Sequence, residues 1–280
     1  MYIQGASTRK VKAITEKLFG FEVSSTQVSR LTALLNEELE DWRNRPIGQI
    51  PYLLLDARYA KIRHGGSVVD CGILIATGIL PDGRRSVLGV SVALSEAEVH
   101  WRNFLQGLLA RGMHGIKLIV SDAHSGLREA RVGTLPGTPW QRCQFHLQQN
   151  AVAYVSKVSM RRAVAAEIRS IFDAADADEA NRRRKVVADK WWALAPKLAD
   201  WMEAALPGGL TVFSLVPPQH RRRLRTVNLV ERLNKEIHRR TRVATLFPNE
   251  ASLLRLVSAV LIETSEEWET GRVDLKMDAE

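Results

Sequence analysis

Three apolar, strand-like runs separated by two short glycine turns occupy residues 52–93, and they constrain the fold more than any other segment. The runs are YLLLDARYAKIR, VVDCGILIATGIL and RRSVLGVSVAL, and the turns are HGGS and PDGR. Runs rich in Val, Ile and Leu that are bounded by such turns are typical of β-hairpins. The segment therefore predicts three consecutive antiparallel strands.

The chain after these strands alternates between helical and strand-like patterns. WRNFLQGLLARG is a helix that stops at Gly112, IKLIVSD is a fourth, wholly apolar strand, LREARV is a short helix, and WQRCQF is a fifth strand. This order resembles the ribonuclease-H-like α/β fold, in which a helical crossover sets the fourth strand parallel to the first. In that fold Asp56, in the first strand, and Asp122, at the end of the fourth, would come together.

The rest of the sequence has helical periodicity and gives the expected organisation. Residues 1–46 contain a pair of helices, which is either a helix-turn-helix reader of DNA or an ordinary packing unit. Residues 47–146 form the first part of the α/β core, and residues 147–222 form a helical insertion after the fifth strand. Residues 223–280 return to the core with the last helices. We thus expect a mixed sheet, a helical insertion and a short N-terminal helical segment.

The charge balance and the cysteine count restrict the possible partners. Forty Lys and Arg against 31 Asp and Glu give a net charge of +9, which favours a polyanionic partner, nucleic acid first. No signal peptide and no run of about 18 apolar residues is present, so we expect a cytoplasmic protein without a membrane partner. Cys71 and Cys143 are too few for a disulfide framework or a four-cysteine zinc site. Both are expected to be reduced, buried thiols.

The segment TVNLVERLNKEIHRRTRV, residues 226–243, predicts a basic amphipathic helix with Glu231 on its polar side. One interpretation is that Glu231 forms an i,i+4 ion pair with Lys235, which contributes only about 0.2–0.5 kcal/mol. The other is that the carboxylate faces a cation and a phosphate chain together. The helix alone leaves both open.

Three acids far apart in the sequence match the needs of phosphoryl transfer on DNA. That reaction uses two divalent cations about 3.5–4 Å apart, and Mg²⁺ takes oxygen ligands, usually a few carboxylates with water and phosphate. Asp56, Asp122 and Glu231 supply such a set. Either aspartate alone could be a turn or cap residue. Asp56, however, lies within an apolar strand, where an unpaired charge is costly and a metal would compensate it.

Several stretches resemble the Mutator-type transposases of bacterial insertion sequences, from about residue 1 to residue 268: YLLLDARYAKIR, SDAHSGL, WQRCQFH, NLVERLNKEI and RRTRVATLFPNEASLLRL. The resemblance implies a DDE recombinase in which Asp56, Asp122 and Glu231 are catalytic, metal-ligating acids. Glu231 stands within the family's N-x-x-E-R-x-N pattern, from Asn228 to Asn234.

The resemblance also implies a reaction, a cofactor and partners. With Mg²⁺ or Mn²⁺, such an enzyme hydrolyses DNA at a transposon end, and the freed 3′-hydroxyl attacks another phosphodiester without a covalent protein–DNA link. Its partners would be double-stranded DNA, as transposon ends and target, and further copies of the chain in a homodimer or higher oligomer on DNA. In a bacterial cell it would be associated with the nucleoid when bound to DNA.

Auxiliary residues follow from the same resemblance. The family's Cys-x-x-His is present as Cys143 and His146, which we place on the edge of the fifth strand, and Asn228 is a third auxiliary residue. A structural or DNA-contacting role for His146 and metal ligation both stay open, because a second pair of zinc ligands is lacking.

Four basic residues on or beside the Glu231 helix are candidate phosphate contacts, although a merely solvated face is the alternative. Their contribution to affinity should fall steeply with salt. They are Arg232, Lys235, Arg239 and Arg242.

The sequence departs from the family at its N-terminus. Transposases of this type usually carry a longer N-terminal region that recognises the terminal inverted repeats, whereas here only its last helical pair, residues 1–46, precedes the core. A truncated copy or a start assigned downstream would explain this. Two alternatives to an active transposase therefore stand: a non-catalytic DNA-binding relic, and a structure-selective nuclease of the same fold.

Overall fold

The computed structural model describes residues 24–155, 157–241 and 246–277. The first half of the chain contains one helix, three strands, and then alternating helices and strands. These elements are α1 (Ser25–Asn44), β1 (Tyr52–His64), β2 (Ser67–Ile79), β3 (Arg85–Ala93), α2 (Glu98–Ala110), β4 (Leu118–Ser121), α3 (Ser125–Thr134) and β5 (Trp140–Arg142).

The second half is helical throughout its described residues, as the periodicity predicts. Its helices are α4 (Gln144–Ala151), α5 (Val158–Phe172), α6 (Ala177–Trp192), α7 (Pro196–Ala205), α8 (Val212–Leu215), α9 (Pro218–Leu224), α10 (Asn228–Thr241) and α11 (Glu250–Thr270). Among the described residues, no helix combines the length and the apolar composition that a membrane span requires.

The five strands form one mixed sheet in the order β3-β2-β1-β4-β5. β1 pairs antiparallel with β2, and β2 with β3, so the predicted meander is confirmed. The turn between β1 and β2 is made by Gly65 and Gly66, which both have positive φ, as tight hairpin turns require. β4 pairs parallel with β1 and β5 parallel with β4, as expected for strands joined by helical crossovers.

Alternating side chains of β1 face two separate apolar clusters, one on each side of the sheet. Leu53 and Leu55 pack in a cluster with side chains of α2 and α3. Leu54 packs in the larger cluster, which includes buried residues of α10 and α11. Since Asp56 follows Leu54 by two residues, it lies on the side of the sheet that α10 covers.

The predicted fifth strand is too long, and the placement of Cys143 and His146 on its edge is wrong. β5 ends at Arg142; Cys143 precedes the first residue of α4, and His146 lies within that helix. The reason is the short neighbouring strand. The Cys143 amide donates to the carbonyl of Ser121, the last residue of β4, at 2.7 Å, and the next amide, of Gln144, donates to the Arg225 carbonyl instead.

Helix α1 is the second helix of the predicted N-terminal pair, and the first lies outside the described residues. α1 starts with a capping box, in which Ser24 and Gln27 exchange side-chain and backbone hydrogen bonds. Its C-terminal half contacts α11, because Arg43 donates to the Ser258 hydroxyl at 3.0 Å and Asn36 accepts from Arg255 at 2.7 Å. In the described part of the chain, α1 thus packs against α11.

Candidate active site

The parallel pairing of β1 and β4 aligns the two aspartates. Leu54 and Val120 form the last pair of this ladder, and Asp56 and Asp122 each follow one of them by two residues. Asp122 lies directly after the last residue of β4, and its Oδ1 accepts the backbone N–H of His124 at 3.0 Å. The carboxylate therefore also holds the turn that leads into α3.

Asp56 is buried within β1, with 8% of its surface exposed. Its Oδ2 accepts a hydrogen bond of 2.7 Å from Nδ2 of Asn234. Burial, together with the negative charges of Asp122, Glu231 and Glu96, raises the pKa of Asp56 to about 8, and the backbone N–H of Ala57 opposes this effect. The negative charges of three other acids, from three different parts of the chain, therefore act on the Asp56 carboxyl.

Glu231 lies in α10 and is half-buried. Its Oε1 is buried and has no hydrogen-bond donor among the described residues. Burial raises the pKa of Glu231, whereas His146 and Lys235 act to lower it. The ion pairs that the described residues form do not include one between Glu231 and Lys235, so the simple i,i+4 pair of the first interpretation is not made.

Apolar packing and one arginine fix α10 against the sheet. Val230, Leu233 and Ile237 are buried in the larger cluster, as expected for one side of an amphipathic helix. Nη1 of Arg58, in β1, donates to the backbone carbonyl of Asn234 at 2.9 Å. Because this contact lies one helical turn after Glu231, it holds the acid over the part of β1 that carries Asp56.

Glu96 is a fourth acid near the site, and the sequence analysis missed it. It lies just before α2, and its Oε2 stands 3.9 Å from Nδ1 of His124. Its backbone packs tightly on α3, since a Cβ added at Gly126 would collide with the Glu96 carbonyl. A loop acid before a helix carries no periodic signal, so only the packing of its loop on α3 identifies it.

Cys143 is a buried thiol that supports the start of α10. Its Sγ accepts the backbone N–H of Val227 at 3.4 Å, and burial raises its pKa to about 11. The geometry therefore favours a structural role.

His146 is near enough to Glu231 to lower the pKa of that acid. Its Nδ1 is buried and has no hydrogen-bond partner in the part of the chain that the structure describes. Asn228, the other auxiliary residue, is the first residue of α10, and its side chain lies outside the described atoms.

The structure describes the side chains of two of the four predicted phosphate contacts. Lys235 is exposed on α10. Arg239 is also exposed and donates to the Glu236 carboxylate at 2.7 and 2.9 Å, so a phosphate would compete with Glu236 for it. The side chain of Arg232 and the whole of Arg242 lie outside the described residues.

The sequence analysis also missed Arg142, the last residue of β5. Its guanidinium lies over the Trp201 ring at 5.8 Å. Burial lowers its pKa, and the charge of Asp122 opposes that effect. A cation thus stands near the second acid, at the same edge of the sheet.

The donor set suits a hard divalent cation. Within the described residues, no group of three or more His, Cys, Asp or Glu side chains is placed so that it could hold a metal ion by itself. Mg²⁺, however, usually takes only one or two carboxylates and completes its shell with water and substrate phosphate. Asp56, Asp122 and Glu231 offer carboxylate oxygens only, and the Oε1 of Glu231 is buried without a donor from the described residues. These residues therefore fit the cation that the sequence analysis expects.

A sequence profile described as "Transposase, Mutator family" matches residues 1–271. The chain belongs to the Mutator family of transposases. This confirms the resemblance on which the sequence analysis relied.

Three relatives of this Mutator-family chain are transposases of insertion sequence elements. The chain is 54% identical over 280 residues to the transposase for element IS406 of Burkholderia multivorans, covering 99% of this chain and 72% of the relative. It is 42% identical over 279 residues to that for element ISRM5 of Rhizobium meliloti, covering 99% and 70%. It is 36% identical over 279 residues to that for element IS256 in transposon Tn4001 of Staphylococcus aureus, covering 96% and 69%.

Proposed function

We propose that this Mutator-family protein is a metal-dependent DDE transposase that cuts transposon-end DNA and joins the freed 3′-hydroxyl to a target. The observation that carries the proposal is the convergence of charge on one carboxyl group. Asp122 and Glu231 both raise the pKa of Asp56, although they are distant in sequence and come from a strand end and a helix. Carboxylates that repel one another in a buried site favour a multivalent cation between them.

The sheet supports a ribonuclease-H-like core. Three antiparallel strands followed by two parallel ones, in the order β3-β2-β1-β4-β5, match the arrangement that the sequence analysis expects of that fold. Helices α4 to α9 separate β5 from α10 in the sequence. The proposed insertion, residues 147–222, begins within α4 and ends within α9, and it separates Asp122 from Glu231 along the chain.

The acids would hold Mg²⁺ or Mn²⁺, and these cations, when bound, activate the attacking oxygen and stabilise the leaving oxygen. The chain itself orients the ligands. Asn234 fixes Oδ2 of Asp56, and the turn at His124 fixes Oδ1 of Asp122. Glu231 contributes Oε1 from a helix that is packed against β1.

The reaction needs no serine or tyrosine nucleophile, because both attacking groups are oxygens of water and DNA. In the first step a water oxygen forms a bond to phosphorus, and the bond to the 3′-oxygen breaks, which leaves a 3′-hydroxyl. In the second step this hydroxyl forms a bond to a target phosphorus, and the target's own 3′-oxygen leaves. Exposed Lys235 and Arg239, together with Arg232 and Arg242, are the proposed contacts to the DNA backbone.

A strand-transfer assay tests this function. The purified chain is incubated with linear DNA that carries both terminal inverted repeats of its element and with a supercoiled target, with Mg²⁺, Mn²⁺ or a chelator. We expect nicked ends and joined products that require the metal. Binding without cleavage would instead identify a DNA-binding relic, which the named relatives do not favour. Cleavage of branched DNA without joining would identify a nuclease.

A further inference from the structure

We propose that Asn234 is a positioning residue, which sets the Asp56 carboxylate and the Glu231 helix in one fixed relation. The inference rests on the proposed DDE function. It assigns a role to a residue that the sequence analysis quoted only as the end of a motif.

The first link is the side chain of Asn234. Asn234 and Asp56 are each 8% exposed, so water competes little for the 2.7 Å hydrogen bond between Nδ2 and Oδ2. The amide N–H is a donor that a carboxylate accepts in its charged form. The bond therefore orients the carboxylate and engages one defined oxygen of it.

The second link is the backbone of the same residue. Nη1 of Arg58 donates to the Asn234 carbonyl at 2.9 Å. Arg58 follows Asp56 by two residues in β1 and so lies on the same side of the sheet. Asn234 is thus attached to β1 at two points, and a rotation of α10 by one residue, about 100°, would break both.

The spacing within α10 connects these links to the third acid. Residues three apart in a helix are neighbours on its surface, about one turn apart. Glu231 and Asn234 have this spacing. A contact that fixes Asn234 on β1 therefore also fixes the position from which Glu231 reaches the site.

A packing role alone does not explain the chemistry of this side chain. Oδ1 of Asn234 is buried and has no hydrogen-bond donor in the described part of the chain, and a leucine would fill a similar volume without leaving a buried acceptor open. What a leucine lacks is the N–H donor to Asp56. The role thus depends on the amide group and not on the volume of the side chain.

The test compares Asn234→Leu, which keeps volume and removes the donor, with Asn234→Ala, which removes both. Asp70→Asn is the control, because Asp70 is an exposed acid that pairs with Lys61 and takes no part in the proposed site. Three quantities are measured in the full-length chain: Mn²⁺ affinity without DNA, by electron paramagnetic resonance of free Mn²⁺; affinity for end DNA; and the single-turnover cleavage rate on prebound DNA. Circular dichroism confirms that each variant is folded.

In both Asn234 variants we expect Mn²⁺ affinity and the cleavage rate each to fall by about 10–100-fold, the effect typical of residues that orient metal ligands. Their affinity for end DNA should not change. The control should match the wild type. Wild-type Mn²⁺ affinity and cleavage in Asn234→Leu would overturn the inference, because they would show that only volume matters. A wild-type chain that neither bound Mn²⁺ nor cut DNA would overturn the proposed function, and this inference with it.

Discussion

Asp56 and Asp122 lie at the same end of the parallel ladder between β1 and β4, because each follows a member of its last pair, Leu54 and Val120, by two residues. This relation depends on register. A shift of one residue would turn an aspartate to the opposite side of the sheet, away from α10 and Glu231. The site therefore depends on the meander, which fixes β1, and on the crossover through α2, which delivers β4.

Neutral substitutions of the three acids test their proposed role. Asp56→Asn, Asp122→Asn and Glu231→Gln should each lower metal-dependent nicking of end DNA by about 10³-fold or more, because a lost metal ligand removes several kcal/mol of transition-state stabilisation. DNA affinity should be retained. Asp70→Asn is the matched control, since Asp70 pairs with Lys61 on the exposed part of β2. Nicking by Glu231→Gln at the wild-type rate would exclude that residue as a ligand.

The raised pKa of Asp56 predicts how the stability of the metal-free protein depends on pH. The folded chain keeps this proton up to about pH 8, whereas the unfolded chain releases it near the ordinary carboxyl pKa of 3.8. Between these values the native state binds more protons than the unfolded state, so the free energy of unfolding falls as pH rises. Asp56→Asn removes this contribution.

The measurement is urea unfolding of the wild type and of Asp56→Asn at several pH values between 5 and 8, in the presence of a chelator. The free energy of unfolding of Asp56→Asn, relative to that of the wild type, should increase with pH by up to about 1.4 kcal/mol per pH unit. It should level off above about pH 8. A difference that stayed constant across this range would show that Asp56 ionises normally in the folded chain.

The buried thiol of Cys143 predicts a structural effect without a metal effect. Cys143→Ala removes the acceptor for the Val227 N–H, and an unpaired buried donor costs about 1–3 kcal/mol. The free energy of unfolding of Cys143→Ala should be lower than that of the wild type by this amount. The loss should be smaller for Cys143→Ser, because serine keeps an acceptor. Cys143→Ser and the wild type should cleave DNA at the same rate. If the purified wild type contained one equivalent of zinc and Cys143→Ser contained none, the purely structural role of Cys143 would be refuted.

Local patterns predicted those parts of the fold that are determined locally. The hairpins of β1 to β3 follow from glycine turns between apolar runs, and the parallel placement of β4 follows from the helix that precedes it. The apolar side of α10 follows from its period, which leaves Glu231 on the other side. The position of Asp56 within an apolar strand indicates a functional site, because a buried charge needs a compensating partner.

The remaining features depend on contacts that no local pattern contains. β5 stops at Arg142 because its neighbour β4 ends at Ser121, and WQRCQF does not encode that limit. Glu96 reaches the site through the packing of its loop on Gly126. Asn234 did carry a signal, since it lies three residues after Glu231, but its contact with Asp56 joins residues far apart in the sequence.

The exposed position of Lys235 on α10 predicts a contact to the DNA backbone that is independent of base sequence. Lys235→Ala should weaken binding to unrelated duplexes to a similar extent, and it should reduce the slope of log affinity against log salt by about 1, because one phosphate contact is lost. Fluorescence anisotropy over a salt series, with end DNA and with a scrambled duplex, measures both effects. Lys197→Ala removes the same charge from an exposed position on α7 and should leave the slope nearly unchanged. A loss of affinity confined to the end sequence would contradict a phosphate contact, because phosphates are the same in every sequence.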